Sequence, residues 1–576
     1  MGFYADWAMR IAGGQLTDGQ AFYGLPGYPY LLAAIFKVVG FDPFVVGMLQ
    51  AVLFAGVAVV IYQLAVLGFG HEPPTHGRSF EPHPQVAGWL AALGWIFFLP
   101  AQTFSTILMP TVWLVLAYWA CVLWLLRLRE TSWGKPWPLL GLLIGVTAML
   151  VATILFLVPL ALVAIVRSVA RGKPLRERLG RIAAAAALLV AGLFIGTAPA
   201  SLHNRLIARE PVTLSAHSGV NFWIGNNPVA NGYPKIPPGL RASQEGLLKD
   251  SITLAEATVG RKLMRSEVSA FWSARASAYI RENFGAWLAL LGQKFVNFWN
   301  AYQYDDISSI KLMRDQNVTW PGLRFGVVAA LGLAGLVFAW RRNIGARWIS
   351  GGVLLHMLAL MPVFVTERYR LAAVPGLLLL GAWWITALWQ ELLRRRWLAA
   401  LPLVAVAAAA AWFVSVPRAD ASLWSLDHYK AGIRATASKD LDRAERNLQT
   451  ALAYAPDGAD IHFALGNVWL ERGDRGRAKG FYRRALELKP THEGVLNNLG
   501  VLAFEEKRWD LAEKFLLGAL ATEPDDAKTH FMLARTRLGR GDRAGARVAL
   551  AEALRLRPNQ REFQELQREL DSTETP

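Results

Sequence analysis

The chain has 576 residues, of which 54% are hydrophobic and 18% charged, with a formal net charge of +17 at pH 7. This length exceeds that of one typical domain, and the repeated apolar runs before residue 418 exclude a protein that is soluble throughout. Much of the basic excess lies in short loops between apolar runs, where membrane orientation explains it, so we predict no nucleic-acid partner. The single cysteine, Cys121, excludes an intramolecular disulfide and a multi-cysteine metal site, and we predict no metal or other cofactor.

The opening stretch, residues 1–30, is too polar and too rich in glycine and proline to span a bilayer, so we predict an extramembrane loop over a helical membrane body. Its pattern consists of Tyr4, Asp6, Trp7, Ala8, Arg10, Ala12, Gly13, Gly14, Tyr23, Pro26, Gly27, Tyr28, Pro29 and Tyr30. This pattern resembles the first external loop of polytopic GT-C glycosyltransferases of the family 39 type, which include protein O-mannosyltransferases and bacterial aminoarabinose transferases. The resemblance implies transfer of a sugar from a polyprenyl-phosphate carrier, with a loop carboxylate that acts as base or orients the acceptor.

The loop departs from the family pattern at the carboxylate. The family's aspartate would fall one position before Met1, and the family has a membrane helix ahead of this loop. Either the start of the chain is assigned too late, or the protein has lost that carboxylate. We expect the first, so that the family's first helix is missing from this chain. Asp6 remains in the loop and is the first candidate catalytic residue.

Apolar runs of about 20 residues or more follow along the chain. The candidate spans are 44–69, 86–105, 107–129, 137–166, 181–207, 319–340, 346–365, 371–391 and 397–415. The run 137–166 is too long for one crossing and has basic flanks at both ends, so we predict a hairpin of two short helices there. With the basic loops inside, the opening loop, the insert 208–318 and everything after residue 415 fall outside. We predict a multi-pass protein of the bacterial inner membrane with a periplasmic C-terminal domain.

The insert contains a stretch rich in glycine and asparagine, residues 217–232, that is similar to a stretch of many bacterial GT-C proteins. Side-chain amides donate and accept hydrogen bonds at once, which suits sugar hydroxyls, so Asn221, Asn226 and Asn227 are candidate sugar or acceptor ligands. The alternative is a well-capped turn without a ligand, because glycine and asparagine favour turns.

Asp305 and Asp306 follow in the same insert and form a further candidate catalytic pair. Paired carboxylates outside the membrane could serve as a base or hold a cation. The alternative is an ordinary solvated loop.

A short link between two predicted spans, residues 366–370, carries two arginines on the outer face. Arg368 and Arg370 match an Arg-x-Arg pattern that the GT-C family often has at this place. Arginine suits bidentate phosphate binding, so Arg368, Tyr369 and Arg370 are the predicted ligands of the donor phosphate. The alternative is a pair of interfacial arginines, neutralised locally by Glu367.

After residue 418 the sequence becomes polar and repetitive. Pro456, Pro490, Pro524 and Pro558 lie 34 residues apart, and Ala-Leu pairs keep the same period. The pattern resembles tetratricopeptide repeats, in which small residues let paired helices approach closely and proline ends the second helix. We predict about four repeats in residues 419–576, whose groove binds a protein or peptide partner; a purely structural role is the alternative.

The sequence thus predicts an all-α protein, with a polytopic transmembrane helical bundle of the GT-C type in residues 1–418 and a tetratricopeptide repeat (TPR) α-solenoid after it. Its predicted function is transfer of a sugar from a polyprenyl-phosphate lipid to a periplasmic acceptor. The alternatives are an enzyme of the O-antigen ligase or polymerase type, and a non-enzymatic membrane scaffold whose repeats recruit envelope proteins. A transporter is disfavoured because few ionisable residues lie inside the spans. The transferase hypothesis requires that the opening loop, the Asn-rich stretch and the 366–370 link meet at one pocket.

Overall fold

The computed structural model describes residues 3–70, 83–128, 136–168, 174–241, 244–304, 321–417 and 421–572. Every regular element in these ranges is helical, and the one β-bridge found in them joins Phe98 to Leu323, which confirms the all-α prediction. The chain divides into two compact units, Met1–Pro417 and Arg418–Pro576.

The first unit contains eighteen α-helices in the described residues. Their bounds are α1 Phe3–Ala12, α2 Gly27–Val39, α3 Pro43–Phe69, α4 Pro84–Ile96, α5 Leu99–Thr106, α6 Thr111–Arg127, α7 Pro136–Leu150, α8 Val158–Ser168, α9 Leu175–Leu202, α10 Ser218–Gly225, α11 Gln244–Val259, α12 Arg265–Glu282, α13 Phe284–Trp299, α14 Phe325–Arg342, α15 Ile344–Leu360, α16 Glu367–Arg370, α17 Val374–Leu393 and α18 Trp397–Ser415. A 3-10 segment, Ala152–Leu157, precedes α8, and a π segment, His203–Ile207, continues α9.

Several of these helices are apolar enough for a membrane. In the part of the chain that the structure describes, four are also long enough to cross it: Pro43–Phe69, Leu175–Ile207, Glu367–Leu393 and Trp397–Ser415. A fifth crossing exists if α5 and α6 count as one span, although they meet at 119°. The remaining apolar helices are shorter, so the nine predicted runs are not nine uninterrupted spans.

The predicted span 86–105 is two helices, because the chain breaks at Phe97 and Phe98 to pair with a distant segment. The N–H of Leu323 donates to the Phe97 carbonyl at 2.7 Å, and the N–H of Leu99 donates to the Leu323 carbonyl at 3.1 Å. A backbone group that bonds outside its helix cannot also continue the helix. Pro100, in the first turn of α5, has no N–H to donate to the Ile96 carbonyl and marks the same break in the local sequence.

Helices α7 and α9 lie against each other along a seam of glycines. A Cβ atom at Gly192 would lie 2.0 Å from the Pro138 carbonyl oxygen, and one at Gly145 would lie 3.0 Å from the Cα of Gly196. Only glycine allows backbones this close, as in membrane helix pairs with Gly-x-x-x-Gly spacing. Gly141 meets Leu189, and Gly145, one turn later on α7, meets Leu193, one turn later on α9. The two helices therefore run parallel. The chain between them must therefore return to the side where α7 began, which agrees with the two oppositely directed segments predicted for 137–166.

The second unit is a series of antiparallel helix pairs. Its helices are α19 Ala421–Ala437, α20 Leu441–Tyr454, α21 Ala459–Glu471, α22 Arg475–Leu488, α23 Glu493–Glu505, α24 Trp509–Thr522, α25 Ala527–Arg540, α26 Arg543–Leu556 and α27 Arg561–Ser572. Gly466 of α21 touches α22 so closely that a Cβ there would lie 2.3 Å from the Tyr482 ring. The unpaired α27 covers the last pair with Phe563, Leu566 and Leu570, all buried. The predicted α-solenoid is confirmed.

Candidate functional site

The segment Pro362–Arg370, which we call the link, joins α15 to α17 and contacts most of the insert. The N–H of Val365 donates to the Gly232 carbonyl at 2.9 Å, and the N–H of Glu367 donates to the Tyr304 carbonyl at 3.2 Å. These backbone bonds hold the insert against the ends of two apolar helices.

Arg370 fixes the end of α13. Its side chain is buried, and its Nη atoms donate to four backbone carbonyls, two in the last turn of that helix and two just after it. The acceptors are Asn297 at 3.2 Å, Phe298 at 3.4 Å, Asn300 at 2.7 Å and Tyr302 at 3.0 Å. The last carbonyls of a helix have no partner within it, so Arg370 supplies the missing donors. Nη2 also pairs with the Glu367 carboxylate, and the guanidinium lies 3.8 Å from the centre of the Phe325 ring.

This geometry corrects the predicted role of Arg370 as a phosphate ligand. Both Nη groups already hold carbonyls and the Glu367 carboxylate, and the side chain is 1% exposed. The local pairing with Glu367, which was the alternative interpretation, is what forms.

Arg368 points to a different neighbour. It is half-buried, and its guanidinium lies 4.7 Å from the centre of the Tyr369 ring. Its charge acts on Tyr4 of the opening stretch, whose described residues 3–30 we call the opening segment. Burial raises the pKa of Tyr4, and the positive charge of Arg368 opposes that rise. Tyr369 is held by its backbone, because its carbonyl receives a hydrogen bond from His356 Nε2 at 2.7 Å. Arg368 and Tyr369 therefore remain candidate phosphate ligands beside the opening segment.

The Asn-rich stretch forms a capped turn at Asn226 and Asn227. Asn226 Nδ2 donates to the Phe222 and Pro362 carbonyls at 2.8 and 2.6 Å, and Oδ1 accepts from Trp287 and Lys294 at 3.1 and 3.2 Å. Both donors and both acceptor positions of this buried amide are thereby used.

Asn227 is also buried, and its Nδ2 donates to the Trp223 and Ile224 carbonyls, both at 2.9 Å. Its Oδ1 accepts the N–H of Val229. Neither Asn226 nor Asn227 is therefore placed to bind a sugar, which corrects that prediction.

Asn221 differs from these two because it is half-buried and bonds to a side chain, with its Oδ1 2.9 Å from His217 Nε2. The His217 ring lies 4.4 Å from the ring of Tyr23, and burial lowers the pKa of His217 to about 4. A neutral histidine thus joins the Asn-rich stretch to the opening segment, and Asn221 remains a candidate ligand.

The opening segment is bound along the insert by backbone and charged contacts. The N–H groups of Ala216 and His217 donate to the carbonyls of Phe22 and Tyr23 at 2.8 and 3.0 Å. Arg265 of α12 donates to the Ala21 carbonyl at 2.7 Å and pairs with Asp18 at 2.8 Å. The opening segment, the Asn-rich stretch and the link therefore meet, as the sequence hypothesis required.

Asp6, the remaining candidate carboxylate of the described residues, lies half-buried in the first turn of α1. It is two positions from Tyr4, which lies near Arg368. Asp305 and Asp306 lie outside the described residues. No cluster of metal-ligating side chains is found in the ranges that the structure describes.

A cavity of about 730 Å³ opens among the apolar helices directly beneath the opening segment. Its walls come from α2, α3, α6, α7 and α9 and are almost entirely apolar, for example Leu53, Leu116 and Val146. Phe22 and Tyr30 of the opening segment belong to the lining, and the only imidazole in the lining is that of His203. The site therefore combines an apolar chamber with a polar end.

His203 is the functional candidate that sequence reasoning missed. Its Nε2 lies 2.5 Å from the Thr17 hydroxyl, its Nδ1 lies 3.2 Å from Asn204 Oδ1, and its ring stacks on Phe22 at 4.0 Å. In the sequence this histidine ends a long apolar run, and Thr17 belongs to no motif. The three polar residues at 203–205, directly after the apolar run, are the sequence feature that could have indicated a site here.

Lys294 of α13 is a buried cation beside the same turn. Its Nζ donates to the Met361 carbonyl at 2.9 Å as well as to Asn226, and burial lowers its pKa to about 7.

A family model described as tetratricopeptide repeat matches residues 435–491, 470–528 and 503–570. The type IV pilus assembly protein PilF of Pseudomonas aeruginosa is 31% identical over 121 residues, which is 21% of this chain and 48% of that protein. The chain thus spans about half the length of this curated relative. The C-terminal unit consists of TPR repeats, a type of domain used for protein interaction.

Similar solved structures cover this chain only in part. P. aeruginosa PilF has 28% identity and a TM-score of 0.23, over 24% of this chain and 64% of that one. MamA from Desulfovibrio magneticus RS-1 has 20% identity and a TM-score of 0.23, over 24% and 78%. YrrB, described as a TPR protein with an unusual peptide-binding site, has 17% identity and a TM-score of 0.23, over 32% and 91%.

The position of Arg370 predicts a stability effect that its neighbour lacks. We expect Arg370→Leu to lower the free energy of unfolding by about 3 kcal/mol or more, because it leaves Glu367 and several carbonyls buried without donors. Hydrogen exchange measured by mass spectrometry should show faster exchange at the end of α13. Arg368→Leu is the matched control, and equal protection of that helix end in the two variants would contradict the assignment.

Lys294 predicts a pH dependence of stability. Its folded pKa of about 7 lies below the unfolded value of about 10.4, so between these pH values the unfolded chain binds more protons. The free energy of unfolding should therefore rise with pH across this window and be independent of this group below it. Thermal unfolding of the wild type and of Lys294→Met measures the effect. The same pH slope in both proteins would show that Lys294 contributes nothing.

Proposed function

We propose that this protein transfers a sugar from a polyprenyl-phosphate carrier to an acceptor at the outer face of a bacterial inner membrane. The observation that carries the proposal is the 730 Å³ cavity among apolar helices, which ends at the opening segment. Its volume is within the range of ligand pockets, about 300–1,000 Å³. An apolar chamber with a polar end matches the chemistry of a phosphorylated isoprenoid.

The polar residues around the opening segment supply the rest of the proposed site. The charge of Arg368 acts on Tyr4 of the opening segment, and there it would stabilise the phosphate that leaves as the sugar is transferred. Asp6 in the same segment is the candidate carboxylate among the described residues. The resemblance of the opening loop to that of GT-C enzymes supports the same reaction.

Adjacent residues of α3 provide a matched test of the cavity. Leu53 lines the chamber, whereas Val52 is 66% exposed on the outer side of the helix. We expect Leu53→Trp to weaken binding of undecaprenyl phosphate at least about tenfold, because the indole fills the chamber. Val52→Trp should bind as the wild type does. Native mass spectrometry of the full chain in lipid nanodiscs measures both, and equal binding by the two variants would remove the cavity from the proposal.

The second candidate function is a membrane scaffold, and the TPR unit favours it. Amide side chains of consecutive repeats lie together on this unit: Asn498 Nδ2 donates to Asn467 Oδ1 at 2.8 Å, and the Tyr482 hydroxyl donates to the same oxygen at 2.7 Å. Amides of this kind suit the backbone of an extended peptide. Failure of the full chain to bind undecaprenyl phosphate would leave the scaffold as the better proposal.

Both candidate functions place the TPR unit in the periplasm, which cysteine labelling tests. The natural Cys121 is buried, so a new surface cysteine is the only reactive thiol expected among the described residues. We expect Val548→Cys, at a position 69% exposed, to react with a membrane-impermeant maleimide in intact spheroplasts. Leu175→Cys, at a position 70% exposed near the basic start of α9, should react only after permeabilisation. The reverse order of labelling would refute the proposed orientation.

A further inference from the structure

A histidine at the polar end of the cavity is hydrogen-bonded on both ring nitrogens. Nε2 of His203 faces the Thr17 hydroxyl at 2.5 Å, and Nδ1 faces Asn204 Oδ1 at 3.2 Å. We propose that His203 is the general base of this site and removes the proton from the acceptor hydroxyl. The proposal rests on the proposed transferase function and deepens it, because it names the residue that activates the acceptor.

The orientation of Asn204 fixes the tautomer of His203. Asn204 is fully buried, and its Nδ2 donates to the Val212 and Leu214 carbonyls at 3.1 and 3.3 Å, so its other atom must be the oxygen. That oxygen already accepts the N–H of Phe22 at 3.0 Å. An oxygen can only accept, so Nδ1 of His203 carries the hydrogen in the neutral ring. Nε2 therefore holds the lone pair that a base needs.

The ring is also held in place by its surroundings. Phe22 stacks on it with an angle of 20° between the rings and a separation of 4.0 Å. The backbone at His203 starts the π segment that ends α9, a deviation that is frequent at functional sites. A base locked in one tautomer and one orientation, with a third group behind it, is the arrangement that activates hydroxyl nucleophiles.

The partner of Nε2 marks where the acceptor hydroxyl would lie. With the lone pair on Nε2, the Thr17 hydroxyl is the donor of that bond. Thr17 is half-buried and sits between exposed residues of the opening segment, so its side chain can turn away. We place the acceptor hydroxyl at the position that the Thr17 oxygen now occupies, at the boundary of the cavity that His203 lines.

The proposed step transfers one proton to His203 and one glycosyl group to the acceptor. The acceptor O–H gives its proton to His203 Nε2 while its oxygen forms a bond to C1 of the sugar. The bond between C1 and the phosphate oxygen breaks, and its electron pair leaves with the polyprenyl phosphate. The imidazolium then returns the proton to water, so no oxidant, reductant or metal is required.

The test uses the full chain in lipid nanodiscs and a panel of synthetic undecaprenyl-phosphate monosaccharides. Release of free undecaprenyl phosphate is measured by liquid chromatography and mass spectrometry, because this product forms whichever acceptor, water included, takes the sugar. We expect His203→Gln to slow release about 10²–10⁴-fold, the usual contribution of a general base, while undecaprenyl phosphate binds as tightly as to the wild type. Val52→Trp, the control variant outside the cavity, should release undecaprenyl phosphate at the wild-type rate.

A second variant separates chemistry from folding. In His203→Ala, added imidazole should restore release at least about tenfold, which a merely structural defect would not allow. Release by His203→Gln close to the wild-type rate, or loss in His203→Ala that imidazole does not restore, would overturn the assignment of the base and leave the transferase proposal standing. Absence of release from every probe by the wild type would instead remove the proposed function, and the base with it.

Discussion

One buried ion pair, Glu367 with Arg370, joins the insert to the apolar helices of the first unit. Both side chains are almost fully buried, and the guanidinium also holds the carbonyls at the end of α13. Desolvating two charges is costly, and the cost is offset only when every donor and acceptor finds a partner. Here the helix end of the insert supplies partners for both Nη groups of Arg370, whereas its Nε has none among the described residues. The insert and the apolar helix α17 are thereby joined through Arg370, which ends the link and binds the end of α13.

This pair also positions the candidate site. The link has Arg370 on the inside and Arg368 toward Tyr4, so two arginines of one short pattern serve different purposes. With the link fixed, the Asn-rich stretch packs on it through Asn226, and the opening segment packs on the stretch through His217. The cavity beneath is closed by a segment that is itself held in place through several contacts with the insert. The proposed chemistry requires such fixed contacts, because a phosphate ligand and a base act only when they are held at defined positions.

Much of the fold could be predicted because its determinants are local and periodic. The exact period of Pro456 and Pro490 marks the repeats, and small residues such as Gly466 occupy the helix contact for the reason predicted. Pro100 marks the break at Phe98 in the local sequence, but the pairing with Leu323 joins residues distant in sequence and could not be predicted. The same limit applies to His203, whose partner Thr17 is 186 residues away.

The candidate ligands show a second limit of sequence reasoning. An asparagine amide suits a sugar and a tight turn equally well, and only the contacts around Asn226 decide between them. Arg370 is comparable, because a guanidinium binds a phosphate and a helix end with the same donors. Residue type alone therefore cannot assign the roles of these side chains, which depend on their burial and their partners.

The glycine seam between α7 and α9 has a consequence for the depth of the chamber. Val146 and Thr147 on α7, and Pro199 and Ala200 on α9, line the cavity just beyond the last glycine contact, where Gly145 meets Gly196. The spacing of these two walls is set by main chain resting on main chain, so side-chain rearrangement cannot narrow it. The width of the chamber at this depth is therefore fixed by the backbone, and the proposed carrier chain would have to fit the gap that the glycines define.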